Sequence, residues 1–220
     1  MNAWGDQTYL CLTKITLPNG TVLRRANNPE DVYFGENDFV AAGCLAHWPL
    51  GDNAASTTVV DTGPNTYDGA AQQNTDQITS PGKVGRCLSF NGSSDYVDCG
   101  DLNAAEGLAA MSIAVWIYPT AATGTIIAKT GPFSLEYTSA NKIKFGVYAG
   151  TPAWSWITTD DAYPVDRWYH IVATYDGPTL RIYVNNVLVK SGDHSAGGST
   201  YGTSAHAYIG YGASPFNNYF

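Results

Sequence analysis

Glutamate is nearly missing from this chain. Of its 19 acidic residues only Glu30, Glu36, Glu106 and Glu136 are Glu, and the rest are Asp. Asp bonds to nearby backbone and prefers caps and turns, so a helix-rich fold is disfavoured. Basic residues are also sparse: 11 Lys and Arg, scattered except for Arg24-Arg25, leave a net charge of −8. Nucleic-acid binding, which needs clustered cations to displace phosphate counterions, is not expected. Long apolar runs are absent. The richest, LAAMSIAVWIY from Leu108, falls short of the ~20 residues of a membrane-spanning helix, so no membrane insertion is expected. MNAWGDQTYL has no basic or apolar region of a signal peptide. Cys11, Cys44, Cys87 and Cys99 lack C-x-x-C spacing, which argues against zinc or redox chemistry.

What is abundant is Gly (23), Tyr (15) and Trp (6), a strand-and-turn composition. A boundary is expected near Gly43. Before it, YLCLTKITL, the turn Pro18-Asn19-Gly20 and TVLRR read as a hairpin, and DVYF-GEN-DFVAA as a second strand pair. Residues 1–43 thus form a small β module for docking or assembly. From Cys44 onward strands and turns alternate: CLAHWPL, GRCLSF, DYVDCG, MSIAVWIYP, TIIAKT, FSLEYT, KIKFGVYA, WSWITT, WYHIVATY, LRIYV, VLVK and AYIGYG. Residues 51–82 read as a long polar loop stretch. MSIAVWIYP, apolar on both faces, reads as a central strand with Trp116 in the core, and Trp168 reads as core too. Asn185-Asn186 has the spacing of a two-residue hairpin turn, where Asn tolerates the positive φ a type I′ turn demands. Leu180, Ile182 and Val184 then share one face, and Arg181 and Tyr183 the other. GRCLSF and DYVDCG read as a hairpin around Asn91–Asp95 with Cys87 opposite Cys99, compatible with a disulfide or with two reduced thiols. The fold class is all-β, a two-sheet antiparallel sandwich.

Residues 44–220 resemble the laminin-G-like, concanavalin A-like lectin/glucanase jelly roll in its bacterial and phage form. CLAHWPLGDNAASTTVVDTGPNTYDG, PGKVGRCLSFNGSSDYVDCGD, MSIAVWIYPT, WYHIVATYDGPTLRIYVNNVLV and AYIGYGASPFNNYF follow the family's order. The resemblance implies a jelly roll. It also implies a further Gly-x-Ile-Asp-x-Val-x-Ile-Tyr strand after a segment like the last one, where this sequence stops at Phe220. Either the protein is longer or a partner or the N-terminal module supplies that strand. YLCLTKITLPNGTVLRRANNPEDVYFGENDFVAAG resembles the opening of certain tailed-phage minor tail proteins. This implies a virion protein assembled in the host cytoplasm, with other virion subunits as partners.

Glucanases of this fold carry their carboxylates as Glu-x-Asp-x-Glu on one strand. No two Glu here have that spacing and Glu136 stands alone, so no enzyme is expected. His47, His170, His194 and His206 form no nucleophile motif; His47 and His170 read as hydrogen-bonded wall residues within strands. In VDTGPNTYDG, Asp61, Asn65 and Asp68 offer oxygen donors for a structural Ca²⁺, which the family often binds at the matching loop; a loop of Asx turns without an ion is the alternative. Asp95 caps its turn or joins that site. Trp154 and Trp156, two apart in WSWITT, share a strand face that reads as a sugar-stacking platform with Tyr148 close by, or as sandwich core. The expected function is non-enzymatic glycan or host-surface recognition by a phage tail-associated protein. The alternatives are a purely structural virion subunit and an extracellular bacterial lectin module.

Overall fold

A computed structural model describes residues 14–16, 22–24, 43–121, 123–149, 154–194, 198, 200–212 and 218–220. The chain divides into two units, 1–42 and 43–220. In the first, strands β1 (Lys14–Thr16) and β2 (Val22–Arg24) pair antiparallel, Ile15 opposite Leu23. The strand pair expected from DVYF onward, the Pro18-Asn19-Gly20 turn and Cys11 lie outside the described residues.

The second unit is a sandwich. Its strands are β3 (Thr58–Val59), β4 (Gly69–Ala71), β5 (Thr79–Pro81), β6 (Arg86–Leu88), β7 (Val97–Asp98), β8 (Met111–Ile117), β9 (Gly124–Lys129), β10 (Phe133–Tyr137) and β11 (Ile143–Tyr148). There follow β12 (Trp154–Thr158), β13 (Tyr169–Tyr175), β14 (Thr179–Val184), β15 (Val187–Asp193), β16 (Ala207–Ile209), β17 (Tyr211–Gly212) and β18 (Asn218–Tyr219). A large antiparallel sheet runs β12-β11-β10-β9-β16-β7-β4-β3 and a smaller one β15-β14-β13-β8. A one-turn helix, Thr75–Ile78, interrupts the polar stretch before β5.

Alternation writes the core. Ile171, Ala173 and Tyr175 of β13 and Leu180, Ile182 and Val184 of β14 point inward and are buried. They meet Leu135, Phe145 and Val147 from the large sheet in one apolar cluster. Asn185 and Asn186 take φ of 50° and 68° between the paired Val184 and Val187, as a type I′ turn requires.

Several expectations are corrected, and one left open is decided. Leu45–Leu50 forms no ladder: the His47 N–H donates to Asp61 Oδ1 (2.7 Å) and its carbonyl accepts from the Thr62 N–H, so the backbone is committed to a loop. This also removes His47 from a strand. GRCLSF and DYVDCG do not pair with each other. β6 pairs with β5, Cys87 opposite Ser80, whereas β7 lies between β4 and β16 in the large sheet. Between β6 and β7, Asn91 Oδ1 accepts the N–H groups of Ser93, Ser94 and Asp95, which folds the link on itself. Cys87 and Cys99 are free thiols. Finally, β8 is an edge strand whose period of two turns Ser112, Ala114 and Trp116 outward, and Trp116 is 43% exposed. Beside this edge opens a cleft of about 840 Å³ lined by Leu50, Phe90, Val115, Trp116, Trp168 and Phe220, so Trp168 lines a cleft and is only half-buried.

Candidate functional site

One aromatic group on the outer face of the large sheet lies along β11 and β12. The register places Trp154 opposite Tyr148 and Trp156 opposite Gly146. A strand's period of two sends both Trp side chains outward, while Ile157 turns in and is buried. The rings of Trp154 and Trp156 stack at 4.8 Å and 19°, and Tyr148 meets Trp154 edge-on at 5.8 Å. Both Trp are half-buried and stand outside the core cluster. The two Trp and Tyr148 are therefore together, on a face that is not the sandwich interior.

Three further residues complete this shelf. Gly146 is the floor: an added Cβ would lie 2.6 Å from Trp156 Cζ3, so the ring rests directly on the backbone. Lys144 places its ammonium 3.8 Å from the Trp156 ring centroid and 3.3 Å from Glu136 Oε2. Trp156 is thus engaged by both Trp154 and a cation. Tyr201 is 55% exposed and meets Tyr148 edge-on at 5.3 Å. Its N–H donates to the Tyr148 carbonyl (2.8 Å) beside the Ala149–Thr200 bridge. The lone Gly inside KIKFGVYA signals a close backbone approach and could have pointed to Gly146. Nothing in the sequence points to Tyr201, which arrives from a segment more than fifty positions downstream.

A second aromatic group holds Tyr96, just before β7, Tyr208 on β16, and Tyr211 and Tyr219 on the separate β17–β18 pair. Burial pushes the Tyr96 and Tyr208 hydroxyls up, with neighbouring negative charge adding to it. Between the groups the outer face is closed, since Thr125, Ala128, Ser134 and Glu136 are all buried.

Glu136 faces Thr125 and Lys144 across the ladders and accepts from Ser134 (3.1 Å). No second carboxylate is opposite it, so a two-carboxylate glycosidase centre is not assembled there. His194 is buried, bonded through Nδ1 to Ser155 and through Nε2 to the Ala149 carbonyl at 2.9 Å, an inter-sheet tie. The His170 ring lies 5.0 Å from Trp116, and His206 pairs with Asp98 at 2.8 Å.

In the Val60–Gly69 loop, Asp61 Oδ1 accepts the N–H groups of His47 and Gly63, and Oδ2 that of Tyr67, each at 2.7 Å. Asp68 Oδ1 accepts the Asp61 N–H (2.8 Å), and Asn65 donates to the Leu45 carbonyl (2.8 Å). Asp61, Asn65 and Asp68 are each engaged by backbone. Asp95 caps the Asn91 turn and accepts from Gln73 (2.6 Å). Among the described residues no three His, Cys, Asp or Glu gather as metal ligands.

An antiparallel two-sheet sandwich with aromatics on its outer face is the architecture of lectin-like proteins. The family model of the concanavalin A-like lectin/glucanases superfamily matches residues 91–220, and the chain belongs to that superfamily. No curated protein matches its sequence. Among solved structures, the binding domain of Paraclostridial Mosquitocidal Protein 1 aligns at 11% identity and a TM-score of 0.57, over 77% of this chain and 47% of that one. The chain thus spans about half that structure's length. Domain 4 of AbnA, a GH43 extracellular arabinanase from Geobacillus stearothermophilus, in complex with arabinotriose, aligns at 17% identity and 0.48, over 79% and 76%. The binding domain of botulinum neurotoxin DC in complex with SialylT aligns at 16% and 0.46, over 73% and 44%. The first of these shows a shared fold.

Proposed function

We propose that this protein is a non-enzymatic glycan-binding module, and that Trp154, Trp156, Tyr148 and Tyr201 form its ligand shelf. The observation that carries the reading is the stacked Trp154–Trp156 pair, half-exposed outside the core with Tyr201 beside it. Pyranose rings present an apolar C–H face to such surfaces, and nearby polar groups orient their hydroxyls. A virion, tail-associated setting is the finer part of the proposal and rests on the resemblance of residues 1–43. An array of neutral and sialylated oligosaccharides tests the core of it, with Trp154→Ala and Tyr201→Ala as controls. Wild-type protein that binds nothing on the array, or binds equally as either variant, sinks the shelf.

A structural subunit joined to neighbours through its sheet is the second reading, favoured by the open edge at β8. It predicts concentration-dependent association in sedimentation velocity, weakened by a Lys at the exposed Ala114. A monomer at every concentration counts against it.

A further inference from the structure

Lys129 lies on β9 with its side chain wholly buried. A buried ammonium is tolerated only when its charge and its donors are met. Here they are met by four oxygens from two segments. Asp101 Oδ1 pairs with Nζ, and Glu106 Oε1 lies at 3.0 Å. The carbonyls of Thr203 and Ala205 accept at 3.2 and 2.7 Å. Two carboxylates and two carbonyls gathered from irregular loops are the donor set a hard cation takes. In this protein the cation is tethered to a strand.

The second segment is tied down further. Glu106 Oε1 also accepts the Thr203 N–H (2.9 Å), and Thr203 Oγ1 donates to the Thr130 carbonyl (2.6 Å). At Gly202 a Cβ would come within 2.8 Å of Glu106 Oε2, so the loop is pressed against that carboxylate. Upstream, Thr200 bonds to the Ala105 carbonyl (2.9 Å). Tyr201 stands between these anchors, and it is the most exposed ring of the shelf.

We propose that Lys129 is a positioning residue: its ammonium acts as the structural cation that ties 101–106 to 203–205 and thereby holds Tyr201 against Tyr148. The consequence for ligand affinity rests on the glycan-shelf reading, whereas the geometry does not, so the test reads geometry first.

Lys129→Met keeps the apolar stem and removes the charge. In the full chain, ring-to-ring nuclear Overhauser contacts between Tyr201 and Tyr148 are measured together with circular dichroism, thermal unfolding and the glycan array. The variant is expected to keep its strand spectrum, melt lower and lose the Tyr201–Tyr148 contacts. In a companion variant, Lys129→Ala, which also clears the space of the ammonium, millimolar CaCl₂ is expected to restore both, because the oxygens remain, and to leave the wild type unmoved. Contacts that persist in the folded Lys129→Met variant overturn the positioning role, and a Lys129→Ala variant indifferent to Ca²⁺ overturns the cation role. If Lys129→Met does not fold, Glu106→Ala retains the ammonium but removes the arm on Thr203. Loss of the ring contacts with unchanged core resonances is then expected, and their survival overturns the proposal. A silent array with wild-type protein would defeat the shelf reading and leave the ring contacts to decide this one.

Discussion

Replacing Gly146 by Ala sets two effects of opposite sign against each other. Gly146 sits within β11 in extended backbone, where Ala is ordinarily better by ~0.5–1 kcal/mol because glycine loses more chain entropy on folding. A generic view therefore expects stabilisation. The Trp156 ring, however, lies where the new methyl must go, 2.6 Å from Cζ3. If the ring stays, overpacking costs about 1–3 kcal/mol. If it moves, it gives up the Trp154 stack, ~0.5–1.5 kcal/mol, and the Lys144 cation, ~0.5–1 kcal/mol. At the middle of these ranges either route outweighs the entropic gain, and the net is a destabilisation of about 1 kcal/mol. For a domain of this size that lowers Tm by roughly 2–4 °C. Thermal unfolding followed by circular dichroism gives the shift, and the exciton signal of the stacked indoles reports the ring directly. A melting point that rises while the exciton signal is unchanged would refute the packing argument.

Three other outcomes are expected. Trp154→Ala and Tyr201→Ala should each weaken glycan binding about two- to tenfold, the worth of one aromatic contact, with Tm falling more for Trp154→Ala because it also removes the stack on Trp156; calorimetric titration against the best array ligand and thermal unfolding measure the two. Stability should fall on the alkaline side. Burial pushes up the Cys99 thiol and the hydroxyls of Tyr137, Tyr163, Tyr169 and Tyr175, so the folded state holds protons that the unfolded chain has released. The stability tied to these groups is whole below the unfolded values of 9.0 for Cys and 10.0 for Tyr and is lost as pH rises past them; a Tm flat from neutrality to beyond pH ~10 would contradict it. A chelator should leave Tm unchanged, because the Asp61 carboxylate is satisfied by three N–H bonds, and a fall in Tm would instead identify a bound ion.

The sandwich was legible because its longest strands obey a period of two and its turns carry their own chemistry, as Asn185-Asn186 does. Misreadings occurred where backbone partners are distant. CLAHWPL has a strand's composition, but Asp61 and Thr62 take the backbone groups of His47, which pattern alone cannot foresee. MSIAVWIYP looks central because both its faces are apolar, yet its outer face carries an exposed Trp116 beside a cleft. The Trp154–Trp156 pair was legible from spacing alone. The parts of the shelf that set its shape, Lys144, Tyr201 and the Lys129 cage behind it, come together only through ladder register and long loops.

The sheet edges bear on the choice between binding and building. An exposed edge invites pairing unless it is short, charged, bulged or covered. β3, at one end of the large sheet, is two residues long. β15 carries Lys190, joined to Asp160 at 2.8 Å, and its ladder with β14 shifts register after Ile182. β12, at the other end of the large sheet, sets the stacked Trp pair on its outer face, and the Lys144 ammonium lies over it. β8 is the least defended: MSIAVWI is seven residues long, uncharged and regular in its ladder with β13, with only the Lys83 ammonium 5.6 Å over Trp116 on its outer face. Its inward Met111, Ile113 and Val115 are only half-buried, whereas the inward residues of neighbouring β13 are nearly dry. The fold therefore treats its edges unequally. Three are blunted or put to use, and the fourth keeps the geometry of a strand that pairs, so glycan recognition at β12 and assembly at β8 are compatible in one molecule.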